Sequence, residues 1–253
     1  MPITLAQIYR HPVKGLTPES LARTVLTPGE GLPQDRRFAL AQSTAKFDPE
    51  APAWLPKTNF LMLMRHERLA QLRTRFDEAS GTLTIERDGA LLAAANILAP
   101  QGRAAIEDFF LAFMPQEAEG RPRLVAAPGH MFSDGARKVV SIIGLASVAD
   151  LAAQIGAAID PRRFRANFYL AGGAPWQEFE WIGRDFRVGG ARLRGWKPIK
   201  RCAATNVDPE TAARDLNIPL ALSEHYGHVN MGIYADVIEG GAVSLGDAVT
   251  LGA

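Results

Sequence analysis

The sequence predicts a mainly β protein of the α+β class, an antiparallel barrel-type architecture with a few covering helices and a smaller β-rich unit at the N-terminal end. Three observations predict it. Short runs in which apolar and polar residues alternate recur along the chain; glycine and proline signals separate them; and few windows place apolar residues three and four apart. A chain of 253 residues with 47% apolar side chains has enough apolar material for one large core or two small ones.

Taken in order, Thr4 to Tyr9 and Ala22 to Leu26 read as strands, and Pro28-Gly29-Glu30-Gly31 punctuates before a third, Arg37 to Ala41. Phe47 to Pro56 carries three prolines and no clean period, so it reads as a surface loop. Leu72, Thr74 and Phe76, turned at Ser80-Gly81 into Leu83 and Ile85, predict a hairpin. Ile106, Phe109, Phe110 and Phe113 change the period and predict a helix over 104–113. Gly120 to Pro122 reads as the connection to a second part. There the strand Lys138 to Ile143 precedes a helix from Val148 to Ile155, with Ser147 as its expected N-cap and Gly156 as its stop. Asp160-Pro161 and Asp208-Pro209 each combine a capping aspartate with a proline suited to the first helical position, predicting a short turn and a helix respectively. Further strands are expected at Asn167 to Ala171, Asp185 to Val188, Ala191 to Gly195, Gly232 to Ile238 and Ala248 to Leu251.

Composition narrows the function. A net charge of +1, with no block of like charges, offers no field to gather nucleic acid or an anionic membrane. No apolar run is long enough to span a bilayer and the N-terminus lacks the pattern of a signal peptide, so a cytoplasmic protein with a small-molecule partner is expected. The single cysteine, Cys202, makes no internal disulfide and cannot alone hold an iron–sulfur cluster or a structural zinc.

Cys202 follows Lys200 and Arg201. Cationic neighbours can draw a thiol from about 8.5 into the range of roughly 4 to 7.5, giving a soft metal ligand or a nucleophile; the competing reading is a small buried hydrophobe. Lys14-Gly15 at the end of the first strand, Asp35-Arg36-Arg37, and Arg162-Arg163-Phe164-Arg165-Ala166-Asn167 are places where cations meet loop ends. Arginine forks converging from such loops would bind phosphate, while each taken alone also reads as a surface ion pair. His225 and His228 lack a zinc signature, and Gly227 interrupts a helix between them.

Six segments in this order carry a resemblance: YRHPVKG at Tyr9, DRRFAL at Asp35, FSDGARKVVSI at Phe132, RFRANFYL at Arg163, RCAATNVDPET at Arg201 and GIYADVIEGGAVSLGDAV at Gly232. Together they resemble the MOSC proteins, named for the C-terminal domain of molybdenum cofactor sulfurase, and among them the two-part subgroup that includes the mitochondrial amidoxime-reducing component. The resemblance spans nearly the whole chain and implies an N-terminal β-rich domain over 1–118 and a MOSC β-barrel domain over 119–253. It implies that Cys202 ligates the molybdenum of a molybdopterin cofactor and is the catalytic cysteine. It further implies that Lys14, Gly15, Arg36, Ser133, Asp134, Arg165, Asn167, Lys200, Arg201 and Tyr234 bind the cofactor's phosphate and pterin. One departure stands out: the subgroup often has serine after the lysine, where this chain has Gly15.

The function this implies is reduction of N-hydroxylated compounds such as amidoximes, hydroxylamines or N-hydroxylated bases. With no further cysteines in the chain, electrons are expected from a separate reductase or electron-transfer protein. A carrier of persulfide sulfur or of molybdenum cofactor, using the same Cys202, is the alternative. A binding module without catalysis, in which Cys202 is incidental, is the third reading.

Overall fold

A computed structural model describes residues 2–251. In chain order its elements are β1 (Thr4–Arg10), β2 (Glu19–Leu21), β3 (Arg23–Leu26), β4 (Ala39–Ala41), β5 (Arg73–Asp77), β6 (Thr82–Arg87), β7 (Ala90–Asn96), α1 (Pro100–Phe113) and β8 (Arg123–Val125), followed by β9 (Val140–Gly144), α2 (Leu145–Ile155), β10 (Phe168–Ala171), β11 (Asp185–Val188), β12 (Ala191–Lys200), α3 (Ile218–Tyr226), β13 (Asn230–Glu239), β14 (Gly241–Ser244) and β15 (Val249–Leu251). The protein is therefore mainly β with three α-helices among the described residues, the α+β class that the alternating runs predict.

One eight-stranded sheet dominates, in the order β15-β11-β12-β13-β9-β10-β1-β2. Most neighbours are antiparallel; β9 and β10 run parallel because α2 and a 3-10 turn at Pro161–Phe164 return the chain between them. The ladder is open among the described residues, but the start of β1, next to its β2 end, approaches the segment that leads into β15 at the other end. Thr4 bridges Ala248, the Leu5 amide donates to Asp247 O at 2.9 Å, and Gly246 donates to Leu5 O at 2.8 Å. Its core is made of wholly buried side chains such as Leu5, Ile8, Ile142, Phe168, Leu193 and Ile233, each stabilising by about 1.5–3 kcal/mol on burial. The sheet takes β1 and β2 from before residue 118 and the other six strands from after it.

A second core lies under the sheet β5-β6-β7 and α1, built from Phe38, Phe76, Ile85, Ile106 and Phe110. The predicted helix at 104–113 begins four residues earlier, with Pro100 in its first turn. The unpredicted β7 reads ALLAAAN, without β-branched or aromatic residues; it forms because β6 offers it a ladder.

Two predicted helix starts are corrected. Ser147 does not cap α2, which starts two residues before it, after Gly144; Ser147 is buried inside the helix, donating to Glu178 Oε2 at 2.8 Å and accepting from the Trp176 amide at 2.8 Å. Its stop, Gly156, is the predicted left-handed cap. Asp208-Pro209 starts no helix. Asp208 Oδ1 does accept from the amides of Glu210 and Thr211, but Ala212 takes φ +61° and folds the chain back, so that Arg214 bridges Val207. The helix comes later as α3, capped by Asn217, whose side chain accepts from the Leu220 amide, and closed by Gly227. Asp160 does cap the predicted turn, accepting from the Arg162 amide at 2.8 Å. The loop over 47–56 has no regular structure, yet Phe47 is buried against Phe60 and Phe132.

Candidate functional site

The C-terminal end of β12 stops beside a cavity of about 610 Å³. Its walls come from the loop after β1, the segments around residues 36, 57–64 and 131–134, the turns at 161–165 and 202–205, and side chains of β9, β12 and β13. All eleven residues that the resemblance assigns to the site line it: Lys14, Gly15, Arg36, Ser133, Asp134, Arg165, Asn167, Lys200, Arg201, Cys202 and Tyr234; Arg37, Arg162, His225 and His228 do not.

The backbone that delivers them is unusual. Arg36 and Arg165 take φ of +50° and +52°, left-handed conformations that cost a non-glycine residue roughly 1–2 kcal/mol each. Surrounding hydrogen bonds hold them there. The Arg36 amide donates to His11 O at 2.6 Å, its carbonyl accepts from the Phe132 amide at 2.8 Å, and the Arg165 amide donates to Arg162 O at 3.0 Å. The Arg36 side chain then reaches Arg165 O at 2.9 Å and pairs with Asp35. Two guanidinium groups are thus brought beside one cavity by residues far apart in sequence.

Gly15 is required where it stands. Its φ is +85° and an added Cβ would come within 2.9 Å of Leu61 O, so the serine common at this position in the resembling subgroup does not fit this backbone.

Charge in the cavity is unbalanced. Lys14, Arg36, Lys57, Arg163, Arg165, Lys197, Lys200 and Arg201 line it against one carboxylate, Asp134. Arg163 is answered from behind by Asp208 at 2.8 Å and Asp215 at 2.7 Å. Lys14 donates to Asp134 Oδ1 at 2.6 Å and to Phe132 O at 3.0 Å, and Lys57 lies 3.7 Å from Asp134 Oδ2. Burial opposes ionisation of Asp134, but Lys14, Lys57 and Arg36 outweigh it and hold the carboxyl at about 2. Burial pulls Lys14 below its ordinary value despite Asp134. Burial and the neighbouring Arg36 pull Arg165 down to about 10. Burial lowers Lys57 too, but Asp134 and the Cys202 side chain overcome it and raise this ammonium.

Beneath this layer, His11 is wholly buried. Its amide donates to Asp35 Oδ1 at 2.6 Å and its Nδ1 lies 3.3 Å from the same oxygen. Burial, with Arg165 and Arg36 nearby, drives the imidazole down to about 3, so it is neutral at ordinary pH.

The predicted residues divide by what they do. Arg201 is pinned to backbone, with Nε on Met231 O and Nη1 on Phe164 O, each at 2.9 Å. Asn167 is occupied within the sheet, accepting from the Ser141 amide at 3.0 Å and hydroxyl at 2.8 Å while donating to Tyr9 O at 3.1 Å. It lines the wall mainly as a strut. Ser133 donates to Gly135 O at 2.6 Å and shapes the loop that carries Asp134. By contrast Arg165, which lines the cavity, has a buried Nη2 with no hydrogen-bond partner among the described residues. Sequence reasoning missed Lys57, Met62, Leu63, Met64 and Met131, which also line it. They lie in irregular segments whose place beside the cysteine only the fold reveals.

These residues fit an anionic cofactor bearing a soft metal. Cationic forks and an unsatisfied guanidinium N–H suit a phosphate, and the thiol of half-buried Cys202, which lines the same cavity, suits a soft metal. Among the described residues no group of three or more histidine, cysteine or acidic side chains is placed to hold a metal ion.

Comparison with known proteins agrees with the two-part reading. The MOSC domain family matches residues 129–250 and the MOSC N-terminal beta barrel domain family matches residues 2–114. A search of curated proteins returned no match. Among solved structures, the YuaD protein of Bacillus subtilis is 13% identical with a TM-score of 0.47, the alignment covering 99% of this chain and 96% of that one. YiiM of Geobacillus stearothermophilus is 18% identical with a TM-score of 0.36, covering 45% of this chain and 54% of its own, and YiiM of Escherichia coli is 19% identical with a TM-score of 0.33, covering 51% and 58%. With both halves matched in the expected order, the chain belongs to the MOSC family, which includes molybdenum-cofactor-binding oxidoreductase-like proteins.

Proposed function

We propose that this protein binds molybdenum cofactor through Cys202 and reduces N-hydroxylated compounds, drawing electrons from a separate donor protein. The observation that carries this reading is the convergence, in one cavity of about 610 Å³, of the only cysteine with cations that have too few carboxylates to answer them.

When bound, the molybdenum centre supplies two-electron removal of oxygen from an N–O bond. The chain supplies binding and orientation. Lys14, Arg36 and Arg165 would hold the phosphate, and Arg165 brings a guanidinium whose Nη2 has no hydrogen-bond partner among the described residues. Arg201 keeps the end of β12 fixed against β13 and the 161–164 turn, which holds Cys202 at the cavity edge. Asp134, ionised and held by Lys14 and Lys57, accepts hydrogen bonds from bound polar groups and sets the position of both ammonium ions. Met62, Leu63, Met64 and Met131 give the cavity an apolar side that excludes water and accepts the body of an organic substrate.

The test is anaerobic turnover of benzamidoxime to benzamidine with a chemical reductant, using protein expressed in a host that makes the cofactor. Turnover that disappears in Cys202→Ser supports the reading; molybdenum-loaded protein that reduces no amidoxime, hydroxylamine or N-hydroxylated base overturns the reductase. A Cys202 sulfane released by thiol reductants, without metal, would instead favour the carrier reading.

A further inference from the structure

Arg214 does not line the cavity, yet it touches both of its walls. Its Nη1 donates at 3.1 Å to the carbonyl of Ala203, the residue that follows Cys202. Its Nη2 donates at 3.0 Å to the carbonyls of Leu63 and Met64, which form the apolar side. Glu67 holds the guanidinium from beyond, meeting Nε at 3.3 Å and Nη2 at 3.0 Å. The turn that delivers Arg214 is built for the purpose: Asp208 caps it, Ala212 reverses it at φ +61°, and the Val207–Arg214 bridge closes it. Arg163 anchors the same turn from the opposite side through Asn206 O, Asp208 and Asp215.

We infer that Arg214 is a positioning residue that fastens the cysteine segment to the Leu63–Met64 wall and so governs how tightly the cavity holds its cofactor. This rests on the cofactor reading above only for the word cofactor; that the two walls are set by Arg214 stands on the contacts themselves. Three carbonyls from two segments need a planar fork with several N–H donors. A lysine presents a single point charge and cannot span them.

Two readouts test this, neither of them turnover. The first is the rate of iodoacetamide alkylation of Cys202 in cofactor-free protein at one fixed pH, well below the melting temperature. The second is the half-life of bound pterin, followed by its fluorescence on release. Arg214→Ala and Arg214→Lys are both expected to alkylate about tenfold faster and to release pterin about tenfold sooner, since both break the fork. Arg192→Ala serves as the control for loss of an ordinary ion pair, because Arg192 meets Asp185 and Glu239 on the far part of β12; it should move neither readout. A purely structural role would lower the melting temperature of Arg214→Lys while leaving both rates at the wild-type value, and that result overturns the inference. Should Arg214→Ala fail to fold, Arg214→Lys decides alone. Should wild-type protein hold no pterin, the cofactor reading falls, while alkylation still decides whether Arg214 sets the wall.

Discussion

Arginine plays opposite parts at the two ends of β12. At its start, Arg192 and Arg194, with Arg187 on β11, form a surface ladder against Asp185 and Glu239, with N–O distances such as 2.5 Å for Arg194 and 3.0 Å for Arg187. Each cation there has a carboxylate and is open to water. At its end, Arg201 sits with Arg36, Arg165 and Lys14 around a cavity whose lining has a single carboxylate. Arg165 there keeps a buried Nη2 with no hydrogen-bond partner among the described residues. The first arrangement is complete in itself and asks for nothing. The second is incomplete, and a folded protein tolerates such a deficit where a ligand supplies the missing charge.

Substitutions that break this contrast should differ in size. The largest effect is expected at Cys202, where Cys202→Ser exchanges a soft donor for a hard one and should cost nearly all bound molybdenum, measured as metal per chain. Next is Arg165→Gln, which should weaken pterin binding by about 100-fold through loss of a charge-assisted fork. The same change should leave the cofactor-free protein as stable as the wild type or stabilise it by about 1 kcal/mol, since it removes a buried charge that lacks its own carboxylate. Calorimetric melting of both forms separates the two effects, and a large loss of apo stability would show that Arg165 is structural.

The buried layer predicts a pH dependence. The folded-state value of His11 lies near 3 while the unfolded imidazole titrates near its ordinary 6.5. The unfolded chain therefore takes up a proton first as pH falls. This contribution to stability is fully present above about 6.5 and is lost towards 3, at up to about 1.4 kcal/mol per pH unit. Asp35 and Asp134, whose folded values are depressed, lose theirs only below their unfolded value near 3.8. Between pH 6 and pH 4 His11 should thus contribute to the slope together with His66 and His130, which burial also lowers, and His11→Asn should reduce it in denaturant titrations at stepped pH. The smallest effect is expected on the ladder. Arg192→Ala should retain wild-type molybdenum and a melting temperature close to wild type, because an exposed pair in water contributes little.

How much of this the sequence discloses follows from where each residue lies. Cys202, Arg36 and Asp134 are legible because each sits in a short motif beside a recognisable strand or turn, and the motifs occur in a telling order. Lys57 and Met62–Met64 are not, since nothing in an irregular segment states which cavity it will face. Asn167 shows the reverse: its motif suggests a ligand contact, while the fold engages its amide with Ser141 and Tyr9. Asp208-Pro209 misleads for a local reason. Its cap forms as the residues dictate, but the interactions of Arg214 with the opposite wall favour a reversed chain over a helix. The strands carry over best, because alternation survives any tertiary partner; β7 fails because an alanine-rich strand takes its conformation from its neighbour.

The central claim is that the cavity at the end of β12 is a molybdenum-cofactor site with Cys202 as its protein ligand. Its most direct test is molybdenum per chain by mass spectrometry, for wild type and Cys202→Ser purified side by side from a host that makes the cofactor. Near-stoichiometric metal in the wild type and its loss in the variant is the predicted result. Metal absent from both, or equal in both, would contradict the claim.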